Sequence, residues 1–123
     1  MSNTVPLTLL AVTGLLGMIL TAYVLREADI PAWLRRAHMI AGACGLATLL
    51  RAVASAASAT PRPPGPSGQL PAAFVACALL LGLTVWLTAR YAKQGLTIVR
   101  ALHMCAGFCG VLLAAAWILR PGA

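Results

Sequence analysis

The stretch Arg35-Arg36-Ala37-His38-Met39-Ile40-Ala41-Gly42-Ala43-Cys44-Gly45 returns later in the chain as Arg100-Ala101-Leu102-His103-Met104-Cys105-Ala106-Gly107-Phe108-Cys109-Gly110. Seven of the eleven positions are identical at a constant offset of 65, and the only two histidines fall at the same place in both copies. On a helix, positions i, i+4 and i+7 share a face, and i−3 joins them one turn back. Arg35, His38, Gly42 and Gly45 therefore form one stripe. Arg100, His103, Gly107 and Gly110 repeat it. Each stripe reads cation, imidazole, bare backbone, bare backbone.

The surroundings of the two copies decide the class of fold. Of 123 residues, 61% are hydrophobic and only 9% charged, with a mean hydropathy of +0.91. A soluble domain carries about 25% charged residues, so this chain is expected in a lipid bilayer. The net charge of +7 does not point to nucleic acid. The cations sit at the ends of apolar runs and form no patch with interleaved aromatics.

Four apolar runs are long enough to span. The first covers about residues 5–25, roughly 31 Å of helix at 1.5 Å per residue. With no basic residues ahead of it and no small-residue cleavage site after it, it reads as a retained helix and not as a secretory signal. Glu27–Pro31 is a short polar turn, with Asp29 as the expected cap of the next helix and Pro31 in its first turn. The second helix covers about residues 31–57. Thr60–Gln69 holds four prolines and two glycines in ten residues, a composition that excludes a helix and marks a linker over 59–69. The third helix covers about 70–91. After Arg90, Lys93 and a turn at Gly95, the fourth covers about 96–119 and stops at Arg120-Pro121-Gly122.

The chain thus divides into a first helical hairpin (1–58), a proline-rich linker (59–69) and a second hairpin (70–123). Gly17 with Gly82, and Leu15-Leu16 with Leu80-Leu81, extend the offset of 65 into the first and third helices. The expected fold is an all-α membrane protein: a four-transmembrane-helix bundle built from two hairpins in parallel repeat, related by an axis along the membrane normal. Arg26, Arg35, Arg36, Arg90, Lys93 and Arg100 collect at one end of the helices, and cations stay on the cytoplasmic side. Both termini and the linker are therefore expected in the periplasm of a bacterium, with the protein multi-pass in the inner membrane.

His38 and His103 are the leading candidate site. A polar group in hydrocarbon costs several kcal/mol unless paired, so intramembrane histidines carry a functional expectation. The repeat aims both imidazoles at one point. Neutral imidazole is a good ligand for tetrapyrrole iron, so His38 and His103 are expected to ligate one haem b. Gly42, Gly45, Gly107 and Gly110 would leave room for the edge of the macrocycle; the alternative for them is close helix packing, Ala41 with Gly45 and Ala106 with Gly110. Arg35 and Arg100 would pair with haem propionates, or set topology and reach for lipid phosphates. Arg51 interrupts an apolar run, and the only two acidic residues, Glu27 and Asp29, belong to the other end. It either snorkels to the outer interface or contacts a quinone carbonyl or an anion.

The remaining polar or soft side chains read more plainly. Cys44, Cys77, Cys105 and Cys109 form no CxxC pair and are expected as buried free thiols. Met39 and Met104 read as packing or lipid-facing residues. Tyr23, Trp33, Trp86, Tyr91 and Trp117 read as interfacial belts. The expected function is a membrane electron-transfer subunit, a b-type cytochrome exchanging electrons with quinol or a partner redox protein. Its partners would be the bilayer and other membrane subunits or further copies of itself. The competing readings are a structural or assembly subunit, a Cys/His soft-metal transporter and a chlorin-binding protein.

Overall fold

The apolar runs fold as four helices: α1 (Thr4–Leu25), α2 (Ala32–Ala59), α3 (Pro66–Thr88) and α4 (Leu96–Ile118). The computed structural model describes residues 4–59, 66–88 and 96–119, and no strand occurs among them. Each helix is long and apolar enough to cross a membrane, over stretches of 20 to 25 residues. The exterior is apolar as well: Trp33 and Phe108 are each 67% exposed, and Leu15, Met18, Leu80 and Ile98 join them. Patches of this extent are rare on soluble monomers.

α1 packs chiefly on α2, and α3 on α4; α1 also meets α4, and α2 meets α3. The helices therefore follow one another round a ring, with α2 and α4 diagonally opposed. The core cluster consists of Leu10, Leu49, Ala72, Val75 and Ala114, with Leu46, Val111, Trp117 and Ile118 packed against it. Its members keep the offset of 65. Leu49 and Ala114, 65 apart, are both 0% exposed, and so are paired Leu10 and Val75, both buried. Pro6 and Pro71, again 65 apart, are buried near the starts of α1 and α3. Pro6 lies in the first turn of α1, where its missing N–H has no helical partner to lose, whereas Pro71, the sixth residue of α3, lies inside the helix.

Two expectations change. α3 begins at Pro66, so the last four residues of the expected linker are helical. Proline at the first helical position loses only an N–H that would be orphaned, and a proline-rich segment can therefore run straight into a helix. The cap of α2 is Pro31 and not Asp29. The Pro31 carbonyl accepts from Leu34 N–H (3.1 Å) and Arg35 N–H (3.4 Å), so Asp29 lies two residues ahead of the helix. Trp117, near the end of α4, lies against the core cluster. The linker residues 60–65, the end of the third run with Arg90 and Tyr91, Lys93, the Gly95 turn, and the Arg120-Pro121-Gly122 stop lie outside the described residues.

The turn after α1 has a defined lock. Ala28 N–H donates to Tyr23 C=O (3.0 Å) and Glu27 N–H to Val24 C=O (3.1 Å), the paired bonds of a Schellman end. The position between them must be left-handed, and Glu27 holds it at φ 52°. Glycine is the usual occupant there.

Candidate functional site

His38 and His103 come from the diagonal helices α2 and α4 and meet in the middle of the ring. Their ring centroids lie 5.9 Å apart, and the planes cross at 80°. Each imidazole is also tied sideways to the neighbouring helix of its own half. His38 Nδ1 lies 3.1 Å from the carbonyl oxygen of Thr13 on α1. His103 Nδ1 lies 2.7 Å from the carbonyl oxygen of Ala78 on α3. Thr13 and Ala78 are themselves 65 apart. A carbonyl oxygen can only accept, so Nδ1 carries the proton in both rings. In the neutral imidazole Nε2 then keeps its lone pair.

These carbonyls belong to helix interiors and already accept from the N–H four residues on. A second donor can reach one only where the helix surface above it is bare. A side chain covers the turn N-terminal to its own Cα, so the covering residues are Gly17 over Thr13 and Gly82 over Ala78. A Cβ on Gly17 would sit 3.2 Å from His38 Cε1. A Cβ on Gly82 would sit 2.9 Å from His103 Cε1 and 3.2 Å from its Nδ1. Glycine, carbonyl and imidazole thus form one socket, present twice.

The other glycines of the repeated stretch do a different job. A Cβ on Gly45 would meet Leu10 Cδ2 at 2.9 Å, and one on Gly110 would meet Val75 Cγ2 at 2.8 Å. Gly42 faces Thr13 Cγ2 at 3.4 Å, and Gly107 faces Ala78 Cβ at 3.8 Å. All four lie in the contacts of α2 with α1 and of α4 with α3. Gly42 also faces Leu79 Cδ1 of α3 at 3.7 Å.

The arginines lie apart from the rings. Arg35 is exposed and Arg100 half-buried. The inner stripe of α2 runs through Leu34, His38, Gly42, Gly45 and Leu49, with Leu34 and Leu49 fully covered. Leu34, at i−4 from His38, takes the inward place and turns Arg35 outward, as suits a cation at a helix end. Arg51 is exposed on the exterior of α2. The cysteines correct an expectation, because Cys44, Cys77, Cys105 and Cys109 are all free and exposed. Cys44 and Cys109 stand six residues from the histidines, about 240° round the helix, so inward histidines send them outward. Among the described residues no three His, Cys, Asp or Glu side chains gather as a metal site. Met104 faces outward in part, and its Sδ receives Thr21 Oγ1–H at 3.7 Å, a link from α1 to α4. An open cleft of about 310 Å³ lies at the end of α1, lined by Ile19, Ala22, Tyr23, Arg26 and Ala28.

The pairing of both histidines was legible in the sequence, but the sockets were not. Gly17 and Gly82 stood out only as repeat mates. A carbonyl's accessibility becomes visible once α2 is laid on α1 and α4 on α3. No family model, no curated protein and no solved structure matches this chain.

Proposed function

We propose that the chain is a multi-pass protein of a bacterial cytoplasmic membrane, two parallel helical hairpins related by a two-fold axis along the membrane normal. On this reading it holds one b-type haem between His38 and His103 and passes single electrons between quinol or a partner redox protein and an acceptor. Both termini would lie on the periplasmic side, with the arginine-bearing end in the cytoplasm.

The observation that carries the reading is the relation of the two rings. Imidazoles on opposite sides of one metal, with metal–nitrogen bonds of about 2 Å, put their ring centroids roughly 6 Å apart; the centroids here are separated by 5.9 Å. Metal-ligating histidines usually donate the other ring N–H to a carbonyl or carboxylate, which fixes tautomer and orientation. Both rings make that bond, to Thr13 and Ala78, and both keep Nε2 for a ligand. The layer around them is lean in side chains, since Gly17 and Gly82 face the rings from α1 and α3.

A bound haem would supply a one-electron centre. The residues of the chain do the rest. His38 and His103 would supply the two imidazole ligands to the iron. The core of Leu10, Leu49, Val75 and Ala114 keeps water out on one side of the site. Arg100, half-buried one turn before His103, would offer a forked cation to a propionate, whereas Arg35 is exposed and turned outward.

A second reading keeps the same geometry without a cofactor. An edge-to-face ring pair at 5.9 Å is also an ordinary aromatic contact, and the histidines would then be a polar clasp in a structural or assembly subunit. The test is the reduced-minus-oxidised absorption spectrum of protein purified from haem-replete cells. A low-spin b-type α band at one haem per chain supports the first reading. A colourless, folded protein that also fails to take up added haemin supports the second. A chlorin spectrum would keep the ligands and change the function to light harvesting.

A further inference from the structure

We propose that Gly17 and Gly82 are positioning residues that fix the two imidazole planes nearly perpendicular, so that the bound iron has a highly anisotropic low-spin electronic state. The inference rests on the haem reading above and concerns what the sockets do for it.

Each ring is held at two points on one edge. Nδ1 donates to a carbonyl of the adjoining helix, at 3.1 Å for His38 and 2.7 Å for His103. Cε1 faces Gly17 or Gly82, where an added Cβ would come within 3.2 or 2.9 Å. With a hydrogen bond on one atom and a backbone wall beside the next, rotation about the Cβ–ring bond is restrained. The socket of His38 belongs to α1 and that of His103 to α3, on different sides of the ring of helices, and the two planes end at 80°. Iron bound at Nε2 would leave the Nδ1 hydrogen bond of each ring in place.

Plane angle is an electronic variable. Two parallel imidazoles donate π density into the same iron d orbital, split the pair of d orbitals that point between the ligands, and give a rhombic ferric spectrum. Perpendicular planes each address one member of that pair. The pair stays nearly degenerate, and the ferric state shows one strongly low-field resonance. The glycines therefore act on the iron through the histidines, without touching it.

The experiment is low-temperature EPR of the purified ferric holoprotein, with haem content measured on the same samples. The wild type is expected to show a single, highly anisotropic low-field signal. In Gly82→Ala the Cβ must push the His103 ring off Ala78, and the signal is expected to move toward a three-line rhombic pattern. Gly17→Ala should move it less, because its contact is looser. Gly14→Ala, with nothing within 4 Å of the added Cβ, should leave it unchanged. A rhombic signal in haem-loaded wild type overturns the inference while leaving the haem reading intact. So does an unchanged signal in both Gly17→Ala and Gly82→Ala at full haem content. If Gly82→Ala does not fold, the wild-type signal and Gly17→Ala decide. A wild type that binds no haem fails at the earlier step, the function itself.

Discussion

His103 is bonded through Nδ1 to the main-chain oxygen of Ala78 at 2.7 Å, and that oxygen lies in the middle of α3. The bond adds a donor to a carbonyl that keeps its own helical partner. Losing the imidazole therefore orphans nothing on α3. Replacing His103 with leucine should lower the stability of the cofactor-free protein in detergent by about 1 kcal/mol or less, the net value of one such bond. A loss of several kcal/mol in that measurement would mean that the ring pair itself holds the helices together, as the structural-subunit reading requires.

The glycines separate by what they face. Gly110→Ala places a Cβ 2.8 Å from Val75 Cγ2, 3.1 Å from Val75 N and 3.3 Å from Phe74 Cβ. Backbone cannot move aside cheaply, so overpacking should cost about 1–3 kcal/mol. Gly45→Ala presses mainly on the Leu10 side chain, at 2.9 Å, and should cost less. Gly14→Ala meets nothing and should be neutral or stabilising by up to about 1 kcal/mol, the propensity difference. Thermal unfolding of the three variants in one detergent gives the order directly; Gly14→Ala as the worst would contradict the packing described.

Glu27 sits in the left-handed region at φ 52°, inside the hydrogen-bonded end of α1. Side chains with a Cβ pay for that conformation, and glycine does not. Glu27→Gly should raise stability by about 0.5–1 kcal/mol, offset in part by greater freedom of the unfolded turn. A melting temperature lower than wild type would count against the strain.

Much of this fold could be read from the chain, because a run of some twenty apolar residues has few alternatives to a helix. The helix ends were less legible. Pro66 has the residue type of a breaker, yet it opens α3; Asp29 has that of a cap, yet the Pro31 carbonyl takes the first bonds. Both errors come from judging a residue by type when the deciding fact is which backbone groups need partners. The site was half legible. His38 and His103 were marked by the repeat, and they do meet. Gly42, Gly45, Gly107 and Gly110 share the stripe of the histidines, while Gly17 and Gly82, on other helices, face the rings. One-dimensional spacing identifies a face of one helix and says nothing of the bare backbone opposite it. The cysteines were read as buried because they lie in apolar runs, but in such a chain the outside is apolar too.

Topology has its own test. A reporter active only in the periplasm should be active when fused after Ala123 and inactive when inserted in the Glu27–Pro31 turn, following the clustering of Arg26, Arg35, Arg36 and Arg100 at one end. The reverse pattern would invert the protein in the membrane and move the histidines to the outer side.

The most direct measurement is haem content in four proteins: wild type, His38→Ala, His103→Ala and the double variant. If both side chains hold one iron, wild type carries one haem per chain. Each single variant then loses it or retains a five-coordinate, high-spin form, and the double variant does little more, because groups acting as a unit are non-additive. Two haems in the wild type, halved by each single change and abolished by both, would contradict the shared site. Haem content unchanged by either substitution would contradict ligation altogether.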